Sequence, residues 1–319
     1  MKRFVLGLGI LAACGDNLRN NGGGGDASVV DGHKVDGMVD ARPDARVDAM
    51  HDAFVVDAMP DGPNGSGAFG SPAVVVVTPG VGVDDDPSMT SDLLELYFNR
   101  DADIYVAKRT TVGSAFGVPV KIAELSSAAN ETGPSVSANG LVMYFASDRS
   151  PTLGNNDIWM STRASRNVAW GVPVHVTELS SPNGDTGIAV TNDNLKAVFA
   201  SDRASTSGDL FLSTRSSTSV AWGAPVLLSS VHQPSSPSSP MLSDDGLSLT
   251  WDINLGSGGD FYIATRATTA DSFGTPVLLT DLSSPTAEDN DLWISPDGHH
   301  CVFISTRVGG VYSFFEATR

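Results

Sequence analysis

Between Phe69 and Arg319 the apolar residues fall in short runs separated by polar turns, and the pattern recurs. One set of runs ends at Phe98, Phe145, Phe199, Trp251 and Phe303. Each is preceded by a turn signal: Asn139-Gly140, Asp193-Asn194, Asp245-Gly246 and Asp297-Gly298, with Asp92-Leu93 as a degenerate first copy. Asn-Gly and Asp-Gly favour the type I′ hairpin turn, whose two central residues both need positive φ. Each run is therefore expected to be the second strand of a hairpin. Polar loops such as Ser147-Asp148-Arg149, Ser201-Asp202-Arg203 and Ser305-Thr306-Arg307 follow. Third strands are expected from Asp103, Asp157, Asp209, Asp260 and Ser313, ending at Arg109, Arg163, Arg215, Arg266 and Arg319.

A second mark, aromatic-Gly-x-Pro, opens the fourth run of each unit. It stands at Phe69, Phe116, Trp170, Trp222 and Phe273, at intervals of 47, 54, 52 and 51 residues. Four short strands repeating every ~50 residues predict blades of a β-propeller. The last unit stops at Arg319 after its third strand, and the first begins at Phe69 with a fourth strand and nothing before it. The run from Pro72 to Val77 is thus expected to complete the last blade, which removes the open sheet edge. The expectation is an all-β fold: one five-bladed propeller of four-stranded blades over 69–319, closed by its N-terminal strand, with six blades as the alternative. The blades resemble the WD-repeat-like repeats of the TolB family. Ser295-Pro296-Asp297-Gly298 with Val302, Phe303 and Arg307 is the closest copy, and Val142 to Trp159 is another. The resemblance implies the propeller fold; it carries little about function, because propellers host many activities.

Composition agrees with this and narrows the partners. Gly and Pro number 33 and 18, which suits many turns. Charged residues are only 18%, too few for a charged helical array. A net charge of −18 argues against nucleic acid, which needs clustered cations. Two cysteines, Cys14 and Cys301, exclude a disulfide scaffold.

Ahead of the repeats, Lys2 and Arg3 precede a short apolar run, Phe4 to Ala13, that ends in Leu11-Ala12-Ala13-Cys14. The run is too short to span a bilayer. It resembles a bacterial lipoprotein signal peptide over residues 1–13, which implies that Cys14 is lipidated and becomes the mature N-terminus. Gly15 follows where an Asp would imply retention at the inner membrane. The resemblance therefore implies an outer-membrane lipoprotein, facing the periplasm or the surface. Residues 14–68 read as the lipidated cysteine and a disordered Asp/Gly-rich linker. Asp36, Asp40, Asp44, Asp48 and Asp52 would repel one another on a helix face, and little apolar material is available to bury.

Stepping back fourteen residues from the aromatic that ends each second strand gives Asp84, Glu131, Asp185, Pro237 and Asp289. Four of the five are acidic, at the expected start of the innermost strand. The loops after the second strand open on the same face and carry Asp148, Asp202, Arg149, Arg203 and Arg307. These residues form a candidate ligand-binding ring at the channel mouth, suited to a cation or a basic peptide segment. The competing reading is that acids and arginines pair, or cap turns, once per repeat. Nothing singles out a catalytic residue. No Gly-x-Ser-x-Gly elbow occurs, and no pair of carboxylates is marked for glycoside hydrolysis. His299-His300-Cys301 reads as strand with a buried cysteine, and the five tryptophans read chiefly as blade packing. No cofactor and no metal site is expected. The chain is expected to be a monomeric, noncatalytic binding module or scaffold of the bacterial envelope, with an envelope protein or basic peptide as partner and the membrane reached only through the lipid. A carbohydrate-binding or glycoside-hydrolysing propeller is the alternative.

Overall fold

Each hairpin is organised by one Ser or Thr placed two residues before an Asp or Asn. Thr90, Ser137, Thr191, Ser243 and Ser295 donate their hydroxyls to Asp92, Asn139, Asp193, Asp245 and Asp297 at 2.6–2.9 Å. The same oxygen accepts the backbone N–H two residues on, at Leu94, Leu141, Leu195, Leu247 and His299. Only the second residue of each pair has positive φ: Leu93 61°, Gly140 72°, Asn194 57°, Gly246 75° and Gly298 73°. The turns are therefore not type I′. Asp and Asn are used for their side-chain oxygen, and the left-handed step falls on the residue after them.

The computed structural model describes residues 67–77, 83–205, 208–233, 236–254 and 259–319. The leader, Cys14 and residues 15–66 of the expected linker lie outside them. The first blade comprises β2 (Asp84–Met89), β3 (Glu95–Arg100), β4 (Asp103–Lys108) and β5 (Val120–Lys121). The second comprises β6 (Glu131–Val136), β7 (Val142–Ser147), β8 (Asp157–Thr162) and β9 (Val174–His175). The third comprises β10 (Asp185–Val190), β11 (Lys196–Ser201), β12 (Asp209–Thr214) and β13 (Val226–Leu227). The fourth comprises β14 (Pro237–Leu242), β15 (Ser248–Asn254), β16 (Gly259–Thr265) and β17 (Val277–Leu278). The fifth joins β18 (Asp289–Ile294), β19 (His300–Ser305) and β20 (Ser313–Thr318) to β1 (Ala73–Val74). All pairings are antiparallel, and the chain is a five-bladed propeller closed by its N-terminal strand. The second strands run two to three residues past the aromatics that mark them, and the fourth strands shrink to two residues each.

The second strand of a blade is packed on both faces, so it needs no polar alternation. β3 and β19 are buried at every residue. Successive residues of such a strand feed two different cores. In β19, Cys301 and Phe303 pack toward the fourth blade, while Val302 and Ile304 pack toward the first. Five apolar clusters result, one in each interface between neighbouring blades.

The arginine after each third strand joins the turn to the fourth strand. Arg109, Arg163, Arg215, Arg266 and Arg319 stack over Phe116, Trp170, Trp222, Phe273 and Phe69 at 4.2–4.6 Å. Each also donates Nε to a carbonyl of the hairpin turn at 2.6–2.8 Å. The glycine of the mark is required by close approach. Gly223 N donates to Thr214 O at 3.0 Å, and a Cβ there would sit 2.9 Å from that oxygen.

Candidate functional site

The residues fourteen before the strand-ending aromatics are the first residues of the innermost strands, as their spacing implies. They are not open to the channel. Glu131, Asp185 and Asp289 are fully buried. Each is paired within its own blade to the arginine of the loop after the second strand: Arg149 Nη2 at 2.8 Å, Arg203 Nη2 at 2.6 Å and Arg307 Nη2 at 2.6 Å. The three arginines share one set of contacts. Nε donates to Ser147, Ser201 or Ser305, and Nη2 reaches the carbonyl of Leu125, Leu179 or Leu282. The guanidinium lies 5.0 Å from the rings of Phe145, Phe199 and Phe303. The carboxylates also accept from the N–H of Ser127, Ser181 or Ser284. In the first blade Asp84 is paired with its cross-strand partner Arg100 instead, and in the fourth Pro237 replaces the acid. Asp148 is exposed and accepts from Asn130 N at 2.7 Å and Asn130 Nδ2 at 3.0 Å. Asp202 is exposed beside this pairing, and burial together with the nearby Asp185 charge raises its pKa. Acid and arginine thus pair once per repeat in four blades, inside the blade.

The residues nearest the axis lie two positions further on. Every innermost strand carries a β-bulge there, between Asp85 and Ser88, Thr132 and Ser135, Thr186 and Ala189, Ser238 and Met241, and Asn290 and Trp293. The bulged residue has positive φ in all five: Asp86 51°, Gly133 59°, Gly187 54°, Ser239 43° and Asp291 57°. A bulge re-aims a strand residue, and here it brings one residue per blade to the axis. Contacts run across this ring. Gly133 N donates to Asp86 Oδ2 at 3.0 Å, and Ser239 Oγ donates to Asp291 Oδ1 at 2.5 Å. A Cβ on Gly187 would meet Ser239 N at 3.0 Å. The ring is the waist of the channel. On the side of the hairpin turns a cavity of about 780 Å³ opens from it, lined by Asp86 and Asp291 and by apolar residues such as Val136, Ile188, Met241 and Trp293.

The ring breaks five-fold symmetry. Blades two and three contribute glycine, blade four Ser239, and blades five and one Asp291 and Asp86; Asp85 precedes Asp86 on its strand, and Asp252 stands on β15 opposite Ser238. Among the described residues no Lys, Arg or His forms an ion pair with any of these four aspartates. Burial, then the contact with Asp291, pushes Asp85 up to about 8. Burial and the charge of Asp85 push Asp86 up to about 7. Burial pushes Asp252 up to about 6 and, with the Asp86 charge, holds Asp291 well above the carboxylate range. A carboxyl whose folded pKa is raised holds its proton more firmly in the folded than in the unfolded chain. Its contribution is complete below about pH 4 and is lost as pH rises through the folded value. In chelator-treated buffer the melting temperature is therefore expected to fall as pH rises from about 4 to about 8, between the unfolded and folded values, and Asp291→Asn is expected to flatten that slope. A melting temperature that rises over this range in the unsubstituted protein would contradict the assignment.

Sequence spacing finds this ring only through its neighbours. The one local signal is the Asp84-Asp85-Asp86-Pro87 run, whose charge density sets the first inner strand apart from the others. The remaining candidates are structural. Cys301 is fully buried, with its thiol pushed up to about 12 by burial, and the five tryptophans are at most 8% exposed.

No protein-family model matches the sequence, and a search of curated proteins finds no match. Solved structures share the fold. The catalytic domain of the Coprinopsis cinerea GH62 α-L-arabinofuranosidase is 11% identical with a TM-score of 0.54, over 79% of this chain and 96% of that one. The α-L-arabinofuranosidase of Lactobacillus brevis is 14% identical with a TM-score of 0.51, over 74% and 90%. The TolB of Acinetobacter baumannii is 18% identical with a TM-score of 0.47, over 75% of this chain and 55% of that one. At such identities the likeness concerns architecture.

Proposed function

We propose that the chain is a noncatalytic binding propeller of the bacterial cell envelope, an outer-membrane lipoprotein held through Cys14, with the axial channel as its ligand seat. The carrying observation is that the repeated acids of the inner strands are occupied by arginines, while the apolar-walled channel ends in carboxylates that differ from blade to blade and have no cationic partner among the described residues. The partner is an envelope protein offering a basic segment, drawn by the net charge of −18. Glycoside hydrolysis is the second reading: Asp85, Asp86 and Asp291 gather their oxygens within 4.8 Å of one another, near the separation of about 5–5.5 Å between the two carboxyl groups of a retaining hydrolase. Of the five tryptophans only Trp293 lines this cavity, and it is 8% exposed.

Ala189 lines the channel wall beside the core between the third and fourth blades, and Ala189→Trp, once shown to fold, would narrow the channel. The substituted and unsubstituted proteins are compared for capture of envelope proteins and for turnover of aryl arabinofuranosides and xylosides. Capture lost in Ala189→Trp, with no turnover by either protein, is expected. Capture unchanged in the folded variant would discard the channel as the seat. Turnover abolished by Asp291→Asn would replace the binding reading with a hydrolase.

A further inference from the structure

We infer that Asp85, Asp86 and Asp291, with Asp252 beside them, form a seat for one divalent cation at the waist of the axial channel, calcium by the chemistry of its donors. The inference deepens the channel reading above, since Asp86 and Asp291 form the floor of the same cavity, and the two are separated by measuring calcium binding and partner capture independently.

The three carboxylates each offer an oxygen within 4.8 Å of the others. An ion bound at about 2.3–2.6 Å holds its ligand oxygens roughly 3–5 Å apart, which is this spread. Two of the three, Asp86 and Asp291, are the positive-φ residues of their bulges, which turns them to the axis; the third, Asp85, immediately precedes Asp86.

Asp252 supplies an independent observation. It sits in β15 opposite Ser238. The corresponding places in the second, third and fifth blades hold Ala146, Ala200 and Ile304, all members of apolar clusters facing the next blade, and the first blade holds a neutral amide, Asn99, whose Oδ1 is likewise buried without a partner. Only 2% of Asp252 is exposed. Its Oδ2 accepts from Ser238 Oγ at 2.6 Å, while its Oδ1 is buried with no hydrogen-bond partner. The carboxylate faces the fifth blade, close enough for its charge to act on both Asp86 and Asp291. A buried oxygen left unpaired costs about 1–3 kcal/mol, more when charged, and asks for a reason. A cation at the neighbouring carboxylates supplies one. The contrast with Glu131, Asp185 and Asp289 sharpens the point, since each of those buried acids has its arginine. Donors that are all oxygen select a hard cation. Carboxylates on three blades, with no octahedral template, suit the adaptable shell of calcium better than that of magnesium.

The test uses the full chain, stripped with chelator, dialysed, and titrated with calcium chloride by calorimetry while melting is followed in parallel. One saturable site that raises the propeller's melting temperature is expected, with magnesium at least tenfold weaker. Asp291→Asn and Asp252→Asn are each expected to weaken calcium at least tenfold. Asparagine tolerates positive φ, so the first variant keeps its bulge, and the second is close to isosteric. Asp271→Asn, a change to an exposed turn cap away from the axis, is expected to bind as the unsubstituted chain does. No saturable binding up to about 10 mM, beyond the weak end of extracellular calcium modules, would overturn the inference. Binding that survives unchanged in both axial variants would assign calcium to the acidic segment before residue 67 and would overturn it equally. Magnesium bound as tightly would overturn the choice of calcium. Loss of calcium with partner capture intact would leave the binding reading standing, and the reverse would leave the cation site standing.

Discussion

Replacing Arg203 with alanine is expected to destabilise the propeller by about 3–5 kcal/mol, the usual cost of breaking one side of a buried ion pair. Asp185 is fully buried, and after the substitution it keeps only the Ser181 N–H at 2.6 Å and the Ser181 hydroxyl at 2.8 Å. The carbonyl of Leu179 loses its Arg203 donor as well, and the rings of Phe199 and Phe211 lose the guanidinium that covers them. For a domain of this size the loss corresponds to a fall in melting temperature of roughly 6–20 °C. Asp185→Leu combined with Arg203→Met is expected to recover much of it, because neither charge is then left alone in the interior. Arg203→Lys is expected to fall between, since an ammonium cannot serve the carboxylate, the carbonyl and the ring together. A double variant no better than Arg203→Ala would mean that the arginine acts through packing and not through its charge.

Deleting residues 1–77 is expected to cost more, because it removes the closure and with it one blade's fourth strand. β1 is only two residues long, with Ala73 opposite Glu316 and Val74 opposite Phe315. Most of its contribution comes from what it carries. Phe69 is 6% exposed, packs between the fourth and fifth blades, and lies under Arg319 at 4.3 Å. Val75 enters the core between the fifth and first blades. Loss of a buried phenylalanine alone costs about 3–5 kcal/mol. The deletion also strips Gly70 N and Val75 N from the carbonyls of Thr318 and Phe314, leaving β20 as an open edge. Compared with a chain deleted only through residue 66, the shorter one is expected to melt more than 10 °C lower, given ~2–4 °C per kcal/mol, and to self-associate through β20. Phe69→Ala isolates the packing part from the edge: it is expected to lower the melting temperature without causing association. A shorter chain that stays monomeric with an unchanged melting temperature would refute the closure.

The one-dimensional pattern was sufficient for the architecture. Hairpin turns, middle-strand aromatics, arginines and aromatic-Gly-x-Pro marks are local features that each blade repeats, and their spacing alone counts five blades and joins the two ends of the ring. The turn type differs from the type I′ that Asn-Gly and Asp-Gly suggest, since Asn139 and its counterparts serve as hydrogen-bond acceptors and only the residue after them turns left-handed. The register was also legible, because Asp84, Glu131, Asp185, Pro237 and Asp289 do open the innermost strands. What those acids meet was decided only in three dimensions. Eighteen residues separate Asp185 from Arg203, yet hairpin pairing brings them together within one blade.

The axial ring needed still more of the tertiary structure. Asp86 and Asp291 are 205 residues apart and belong to neighbouring blades only because the ring closes. Asp252 keeps one buried, unpartnered oxygen only through its place opposite Ser238, on the face turned to the fifth blade. A repeat pattern records what is common to the blades. The waist is defined by how they differ, and that difference acquires its chemistry when bulges bring one residue from each blade to a shared axis.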